Sequence, residues 1–142
     1  MTGEKQTPGF LMTSETGKRT RTRIMEDIKA ALEWGEYPFL LSTGSLIGEG
    51  FDLPELSALI LAMPLSFKGR LVQYAGRLHR ESSGKDDVVI YDYVDDHLGL
   101  GITMFRKRMT TYRKMGYTID IPPESRLSEL LSRKKRAKSD TP

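Results

Sequence analysis

The sequence predicts an α/β protein in which the strands of a parallel sheet alternate with helices. Apolar runs at residues 38–42, 59–63 and 88–94 are apolar on both faces, which is typical of strands that helices cover on either side. Apolar residues at helical spacing occupy roughly residues 20–35, 68–80 and 101–115. Strand and helix therefore alternate, and this order favours a parallel sheet of about four or five strands.

The N-terminal part predicts a short strand followed by the first helix. Residues 1–9 are polar and predict a flexible segment, and the apolar run at 10–12 is long enough only for a brief strand. Helical spacing follows, and Gly35 suits the C-terminal end of that helix. The apolar positions that define its buried face are Ile24, Ile28, Ala31 and Leu32.

The C-terminal part predicts one more body helix and a basic tail. The apolar stripe of the body helix comprises Ile102, Phe105, Met109 and Tyr112. After residues 121–123 an amphipathic segment carries Leu127, Leu130 and Leu131. We therefore divide the chain into a flexible segment at 1–9, a folded domain at 10–120 and a tail at 121–142, which is disordered or forms one short helix.

Composition indicates one globular domain without disulfides. The chain has 142 residues, 38% of them hydrophobic and 29% charged, which is the usual balance of a soluble domain. It has no cysteine and no apolar run of about 20 residues, so we expect a cytoplasmic protein that does not span a membrane. Residues 124–142 hold six of the 22 basic residues and three of the 19 acidic ones. The tail thus carries the whole net charge of +3, and the body is neutral.

The segment at residues 73–80, Gln-Tyr-Ala-Gly-Arg-Leu-His-Arg, carries the strongest chemical signal. On a helix the spacing places Gln73, Arg77 and Arg80 in one stripe. The opposite stripe is apolar and is predicted to face a core: Leu71, Tyr74, Ala75 and Leu78. A row of guanidinium groups on an anchored helix can clamp phosphate oxygens, whereas the alternative is a solvated basic face.

The loop at residues 43–56 is the second candidate site. Glycines at 44, 48 and 50 permit close backbone approach, and Glu49 and Asp52 flank the third of them. In a parallel α/β sheet this loop follows the carboxyl end of a strand, where ligands usually bind. The alternative is a glycine-rich surface loop whose acidic residues are solvated.

These two segments resemble motifs of superfamily 2 helicases. Residues 49–54, Glu-Gly-Phe-Asp-Leu-Pro, resemble motif V, and residues 73–80 resemble motif VI, the Q-x-x-G-R-x-x-R pattern. The resemblance covers roughly residues 10–117 and is greatest to DEAD/DEAH-type and restriction-subunit-like helicases. It implies a RecA-like (P-loop NTPase type) three-layer parallel sheet, the second helicase lobe, missing its first strand.

The resemblance also implies roles for individual residues. Arg77 and Arg80 would act as arginine fingers on ATP that is bound by a partner lobe, and Gln73 would orient the nucleotide and the attacking water. Asp52 would contact the ribose, and Glu49 and Gly50 would couple that contact to the nucleic-acid side. The backbone of the nucleic acid would lie against Thr43, Gly44 or Ser45. Thr43 lies nine residues before Asp52, one more than the DEAD-box spacing, which leaves the choice among these three open.

The sequence also lacks parts of a complete motor. It contains neither G-x-x-x-x-G-K-[ST] nor D-E-x-[DH], so ATP with Mg²⁺ would be held mainly by an N-terminal RecA-like lobe, supplied in cis or in trans. We therefore expect no ATP turnover by this chain alone and interpret it as a fragment of a larger helicase. A sheet without its first strand has exposed edges, which predicts a homodimer.

Several alternatives stay open. The bound nucleic acid is either DNA or RNA, and the sequence does not distinguish them because contacts to the phosphate backbone carry no base identity. The chain is alternatively a non-catalytic nucleic-acid- or protein-binding module, or a subunit of a restriction-type system. Arg106, Lys107 and Arg108 fit either a nucleic-acid path or a solvated face, and the basic cluster at 133–138 either binds nucleic acid or is solvated. We predict no metal site; the acidic run at 92–97 fits a helix start better.

Overall fold

The computed structural model describes residues 7–43, 46, 52–63, 68–79 and 87–139, with side chains omitted at 68 and 134–139. Four strands and four helices have described bounds. In chain order they are β1 (Gly9–Met12), α1 (Lys18–Glu33), β2 (Phe39–Ser42), β3 (Ala58–Leu61), α2 (Lys68–Leu78), β4 (Val89–Asp92), α3 (Gly99–Lys114) and α4 (Arg126–Ser139). The predicted alternation of strand and helix is confirmed.

The chain divides into two compact units, residues 1–52 and residues 53–142. Each unit contains its own ladder of two parallel strands among the described residues. The α/β class and the parallel direction of the strands are as predicted. The predicted boundaries at 9/10 and 120/121 stay predictions.

In the first unit β1 pairs with β2 in a register that runs from Gly9 opposite Phe39 to Met12 opposite Ser42. Helix α1 packs on β1 and buries Ile28 and Ala31, two of the four positions predicted from the helical spacing. Burial of these side chains stabilises the unit through the hydrophobic effect.

The end of α1 has the geometry of a Schellman motif. Gly35 adopts φ 74°, which only glycine tolerates without strain. Its N–H donates to the carbonyl of Leu32 at 3.0 Å, and the N–H of Glu36 donates to the carbonyl of Ala31 at 3.0 Å. The prediction that Gly35 ends this helix is confirmed.

In the second unit β3 pairs with β4, from Ala58 opposite Val89 to Leu61 opposite Asp92. Helix α2 packs against β3 and against α3. Both predicted apolar stripes are buried in full: Leu71, Tyr74, Ala75 and Leu78 on α2, and Ile102, Phe105, Met109 and Tyr112 on α3. The core of this unit is therefore the one that the sequence periodicity predicted.

Burial alternates along all four strands, so that one side chain in two is exposed. The exposed positions include Leu11, Phe39 and Leu41 in the first unit and Ile60, Val89 and Tyr91 in the second. Each ladder thus has one apolar face that is exposed among the described residues.

Helix α4 begins where Ser125 caps its first turn. The Ser125 hydroxyl accepts the N–H of Ser128 at 3.1 Å and donates to the carbonyl of Pro122 at 2.6 Å. The helix predicted from the spacing of the leucines at 127, 130 and 131 is therefore present. No helix among the described residues is long and apolar enough to cross a lipid bilayer.

Candidate functional site

Helix α2 presents the candidate phosphate-binding side chains on the side opposite its buried stripe. Gln73 is exposed and Arg77 is half-buried, one turn further along the helix. The buried stripe fixes which way this exposed side points, because Leu78 and Ala75 are fully enclosed. Arg77 lies in the last turn, where a cation also interacts favourably with the helix dipole. Arg80 lies outside the described residues.

Gly76 leaves bare backbone beside these two side chains. It is helical and exposed, and a Cβ built on it would meet no atom within 4 Å. A glycine within a helix is less stable than alanine by about 0.5–1 kcal/mol, and no described residue comes close enough to Gly76 to require a glycine. The exposed side of α2 therefore combines an amide, a guanidinium and an accessible stretch of backbone.

A buried ion pair joins β4 to α3 in the second unit. The Arg108 Nε donates to Asp92 Oδ2 at 2.7 Å, and its Nη2 donates to Asp92 Oδ1 at 2.9 Å. The Tyr112 hydroxyl donates to Asp92 Oδ2 at 2.8 Å. Only 3% of the Arg108 side chain and 10% of the Asp92 side chain are exposed. We call these three residues the Asp92 network.

The Asp92 network keeps Tyr112 protonated. Burial raises the pKa of Tyr112 far above its ordinary value, and its hydrogen bond to the Asp92 carboxylate raises it further. The phenol therefore acts as a constant donor in the network. The Arg108 guanidinium also lies 5.7 Å from the centre of the Phe105 ring, which adds a cation–π contact within α3.

Tyr117 connects the Asp92 network to the end of α2. Its ring makes edge-to-face contacts with Tyr112 at 6.0 Å and with His79 at 5.3 Å between ring centres. His79 directly follows the last residue of α2. The Tyr117 hydroxyl is buried without a hydrogen-bond partner in the described part of the chain, and burial raises its pKa.

A cavity of about 160 Å³ lies beside the Asp92 network. Its walls come from β4, α3, the segment between α3 and α4, and the first turn of α4, and they include Ile90, Phe105, Tyr117 and Leu127. These side chains make a largely apolar space with the Asp92 carboxylate at its edge. The cavity belongs wholly to the second unit.

The loop candidates are only partly within the described structure. Thr43 follows β2 and is exposed, and Asp52 is exposed next to the buried Leu53. Gly44, Ser45, Glu49 and Gly50 lie outside the described residues, as most of the candidate loop does. Thr43 and Asp52 belong to the first unit, whereas Gln73 and Arg77 belong to the second.

The acidic run after β4 has structural roles. The Asp95 carboxylate accepts the N–H of His97 at 3.1 Å in a turn that precedes α3, which begins at Gly99. Among the described residues no group of three or more His, Asp or Glu side chains is arranged to hold a metal ion.

Arg108 corrects one expectation from the sequence. Neither of the two alternatives, a solvated face or a nucleic-acid path, is correct for this residue, because it is buried against Asp92. Two signals were available. Asp92 lies inside an apolar strand and needs a cation when buried, and Arg108 lies at helical spacing from Phe105 and Tyr112 on the stripe. The sequence gave no indication that Tyr117 is buried, since it lies beyond the end of α3 and outside its helical spacing.

Comparison with known proteins identifies the family of the chain. The sequence model of the family described as "Helicase conserved C-terminal domain" matches residues 2–82, which include both candidate segments. The protein named "Probable helicase D10" of Escherichia phage T5 is 34% identical over 105 residues, which cover 73% of this chain and 22% of that relative. The chain thus spans about a fifth of the length of that relative. Since the family match covers more than half of the sequence, this chain belongs to the helicase conserved C-terminal domain family.

Proposed function

We propose that the chain is the C-terminal motor lobe of an ATP-dependent superfamily 2 helicase or translocase. The observation that carries this proposal is the exposed side of α2, where Gln73 and Arg77 project from a helix whose other side is buried. The family membership supports the same assignment.

Arg77 would act by stabilising negative charge on the transferred phosphoryl group. A guanidinium is always charged and offers several N–H donors in a fixed plane, which suits phosphate oxygens. On a rigid helix such a group needs little reorganisation when the two lobes close on the nucleotide. Arg80 and Gln73 would complete this set, with Arg80 as the second finger and Gln73 directed at the attacking water.

ATP with Mg²⁺ would be held mainly by an N-terminal RecA-like lobe that carries the Walker A and Walker B motifs. From this chain, Asp52 would contact the ribose, and Glu49 and Gly50 would link that contact to the nucleic-acid track. Asp52 is exposed, as this role requires. Bound Mg²⁺ would supply positive charge that neutralises charge developing on the phosphates, and Arg77 would add the positive charge of its guanidinium.

The nucleic-acid track would begin at the end of β2. Thr43 is exposed there, and Gly44 and Ser45 follow it in sequence. A hydroxyl and backbone N–H groups can bind phosphodiester oxygens of either DNA or RNA.

The decisive experiment is reconstitution with an N-terminal RecA-like lobe. Nucleic-acid-stimulated ATP hydrolysis would be measured for the mixture with the wild-type chain, Arg77→Ala and Arg113→Ala. Removal of an arginine finger lowers kcat by roughly 10³-fold or more, so Arg77→Ala should abolish most of the activity. Arg113 is an equally charged, exposed residue of α3, and its substitution should leave the rate unchanged.

Two outcomes would contradict the proposal. If Arg77→Ala hydrolysed ATP as fast as the wild type in an active mixture, the finger assignment would be wrong. If the wild-type chain gave no stimulation with a lobe that binds ATP, the non-catalytic module would be the better description.

A further inference from the structure

We propose that Tyr117 is a positioning residue that holds the end of α2 and thereby sets the direction of Arg77. The contacts run from Arg108 through Asp92, Tyr112 and Tyr117 to His79. This inference rests on the proposed function, since it concerns how the same arginine is aimed at the nucleotide.

The chain of contacts starts at the Asp92 carboxylate, which hydrogen bonds hold in place. Asp92 is the last residue of β4, and its carboxylate receives two parallel hydrogen bonds from Arg108 and one from Tyr112. Two-point guanidinium–carboxylate pairs fix orientation as well as distance. Because the pair is almost fully buried, water does not compete with it. Helix α3 is therefore held against β4 at two positions, one turn apart.

The C-terminal end of α3 then directs Tyr117 toward α2. Gly116 adopts φ 86°, its N–H donates to the Arg113 carbonyl at 3.1 Å, and the N–H of Tyr117 donates to the Tyr112 carbonyl at 3.0 Å. This is again a Schellman motif, which reverses the chain direction after the helix. As a result the Tyr117 ring packs on the Tyr112 ring, which the Asp92 network holds.

The last contact reaches the functional helix. His79 lies two residues after Arg77, and its ring packs edge-to-face on Tyr117. Leu78, between them in sequence, is fully buried. The final turn of α2 is therefore held by burial on one side and by a ring contact just beyond its end. Arg77 emerges from this turn, so loss of the ring contact should change its average direction.

The Tyr117 ring, rather than its hydroxyl, carries the contact. The hydroxyl is buried and unpaired among the described residues, and an unsatisfied buried polar group costs stability. Tyr117→Phe keeps both ring contacts and removes only this group. It is therefore the matched control for Tyr117→Leu, which removes the ring.

The first test uses ATP hydrolysis by the chain reconstituted with an N-terminal RecA-like lobe. Small displacements of a catalytic group lower rates by up to about 10²-fold, so Tyr117→Leu should lower kcat by about 10- to 100-fold at an unchanged KM for ATP. Tyr117→Phe should keep the wild-type kcat. Circular dichroism and the thermal midpoint establish that the variants compared are folded.

Variants of His79 test the same contact from the other side and avoid the core, because His79 is exposed. His79→Ala should lower kcat as Tyr117→Leu does, and His79→Phe, which retains a ring, should recover much of the loss. If Tyr117→Leu does not fold, this pair decides the question. An alanine variant with wild-type kcat would overturn the proposal.

A second measurement needs only this chain. In NMR spectra the His79 ring protons should lose a ring-current shift in Tyr117→Leu and keep it in Tyr117→Phe, and the Arg77 Nε–H should become more mobile in the former. Unchanged Arg77 mobility would overturn the positioning role.

The failure of this inference and the failure of the proposed function are distinguishable. Should Arg77→Ala lower ATP hydrolysis while Tyr117→Leu does not, the inference fails and the proposed function stands. Should Arg77→Ala have no effect, the proposed function fails, and the NMR result alone decides whether Tyr117 orders α2.

Discussion

Arg108 and Asp92 form a two-point ion pair inside the second unit, with Nε 2.7 Å from Oδ2 and Nη2 2.9 Å from Oδ1. The pair joins the middle of α3 to the last residue of β4. A third donor, the Tyr112 hydroxyl, lies 2.8 Å from Oδ2. The buried carboxylate is thus well supplied with hydrogen bonds, which is the condition under which a buried charge is tolerated.

Removing one partner of this pair should be strongly destabilising. In Arg108→Ala the Asp92 carboxylate stays buried without its cation, which typically costs about 3–5 kcal/mol of unfolding free energy. Urea unfolding followed by circular dichroism measures the change. The control is Glu129→Gln, which breaks an exposed ion pair with Arg133 one turn away on α4 and should cost less than about 0.5 kcal/mol. Equal effects of the two substitutions would contradict the buried role of Arg108.

Tyr112 should make the fold sensitive to alkali. Its pKa is raised in the folded state, so above about pH 10 the unfolded chain releases a proton that the folded chain keeps. Stability is therefore fully present below that pH and should fall above it by about 1.4 kcal/mol per pH unit for this group. Unfolding free energies measured at a series of alkaline pH values check the slope.

Tyr112→Phe separates this effect from other titrations. It removes the ionisable hydroxyl and should give a shallower slope, although it is less stable at neutral pH because Asp92 loses a donor. Tyr117, whose pKa burial also raises, contributes to the slope that is left. An identical slope in wild type and Tyr112→Phe would contradict the assignment.

Local periodicity predicted the helices and their buried sides well. The spacing of Leu71, Tyr74, Ala75 and Leu78 was sufficient to tell which side of α2 is buried, because a helix repeats every 3.6 residues whatever surrounds it. Helical spacing also predicted the buried side of α3. The end of α1 at Gly35 was predicted from the residue type, because glycine tolerates a positive φ. The placement of Gln73 and Arg77 on the other side of α2 follows from the same spacing.

The pairing of the strands and the burial of the charged residue Arg108 were harder to predict. Which strands join depends on contacts between distant residues, and apolar runs do not encode it, so the pairing of β1 with β2 and of β3 with β4 could not be predicted from the sequence. Arg108 was assigned to the surface because its residue type outweighed its position on the apolar stripe. The functional roles of Thr43, Asp52, Gln73 and Arg77 stay predictions, as do those of the candidate residues outside the described ranges.

Two glycines in helices should respond to alanine with opposite signs. At Gly76 an added Cβ meets open space, so Gly76→Ala should stabilise the chain by about 0.5–1 kcal/mol through helix propensity. At Gly101 the Cβ would overlap the backbone carbonyl of Asp95, which a small side-chain movement cannot relieve. Gly101→Ala should therefore destabilise by about 1–3 kcal/mol. Thermal unfolding of both variants in parallel checks the signs, and stabilisation by Gly101→Ala would be inconsistent with the close approach of α3 to Asp95.

Gly116 should tolerate asparagine better than alanine. It holds φ 86° at the end of α3, a conformation that costs a residue with a Cβ roughly 1–2 kcal/mol, and asparagine is the residue that most often replaces glycine there. A Cβ at this position meets no atom within 4 Å, so backbone strain alone is responsible. We expect Gly116→Ala to lower the unfolding free energy and to weaken the ring-current shift of His79, since Tyr117 follows the strained residue directly. Gly116→Asn should show a smaller loss in both measurements. If Gly116→Ala lost stability while the His79 shift stayed at its wild-type value, Tyr117 would be held by its ring contacts without help from the reversal at Gly116.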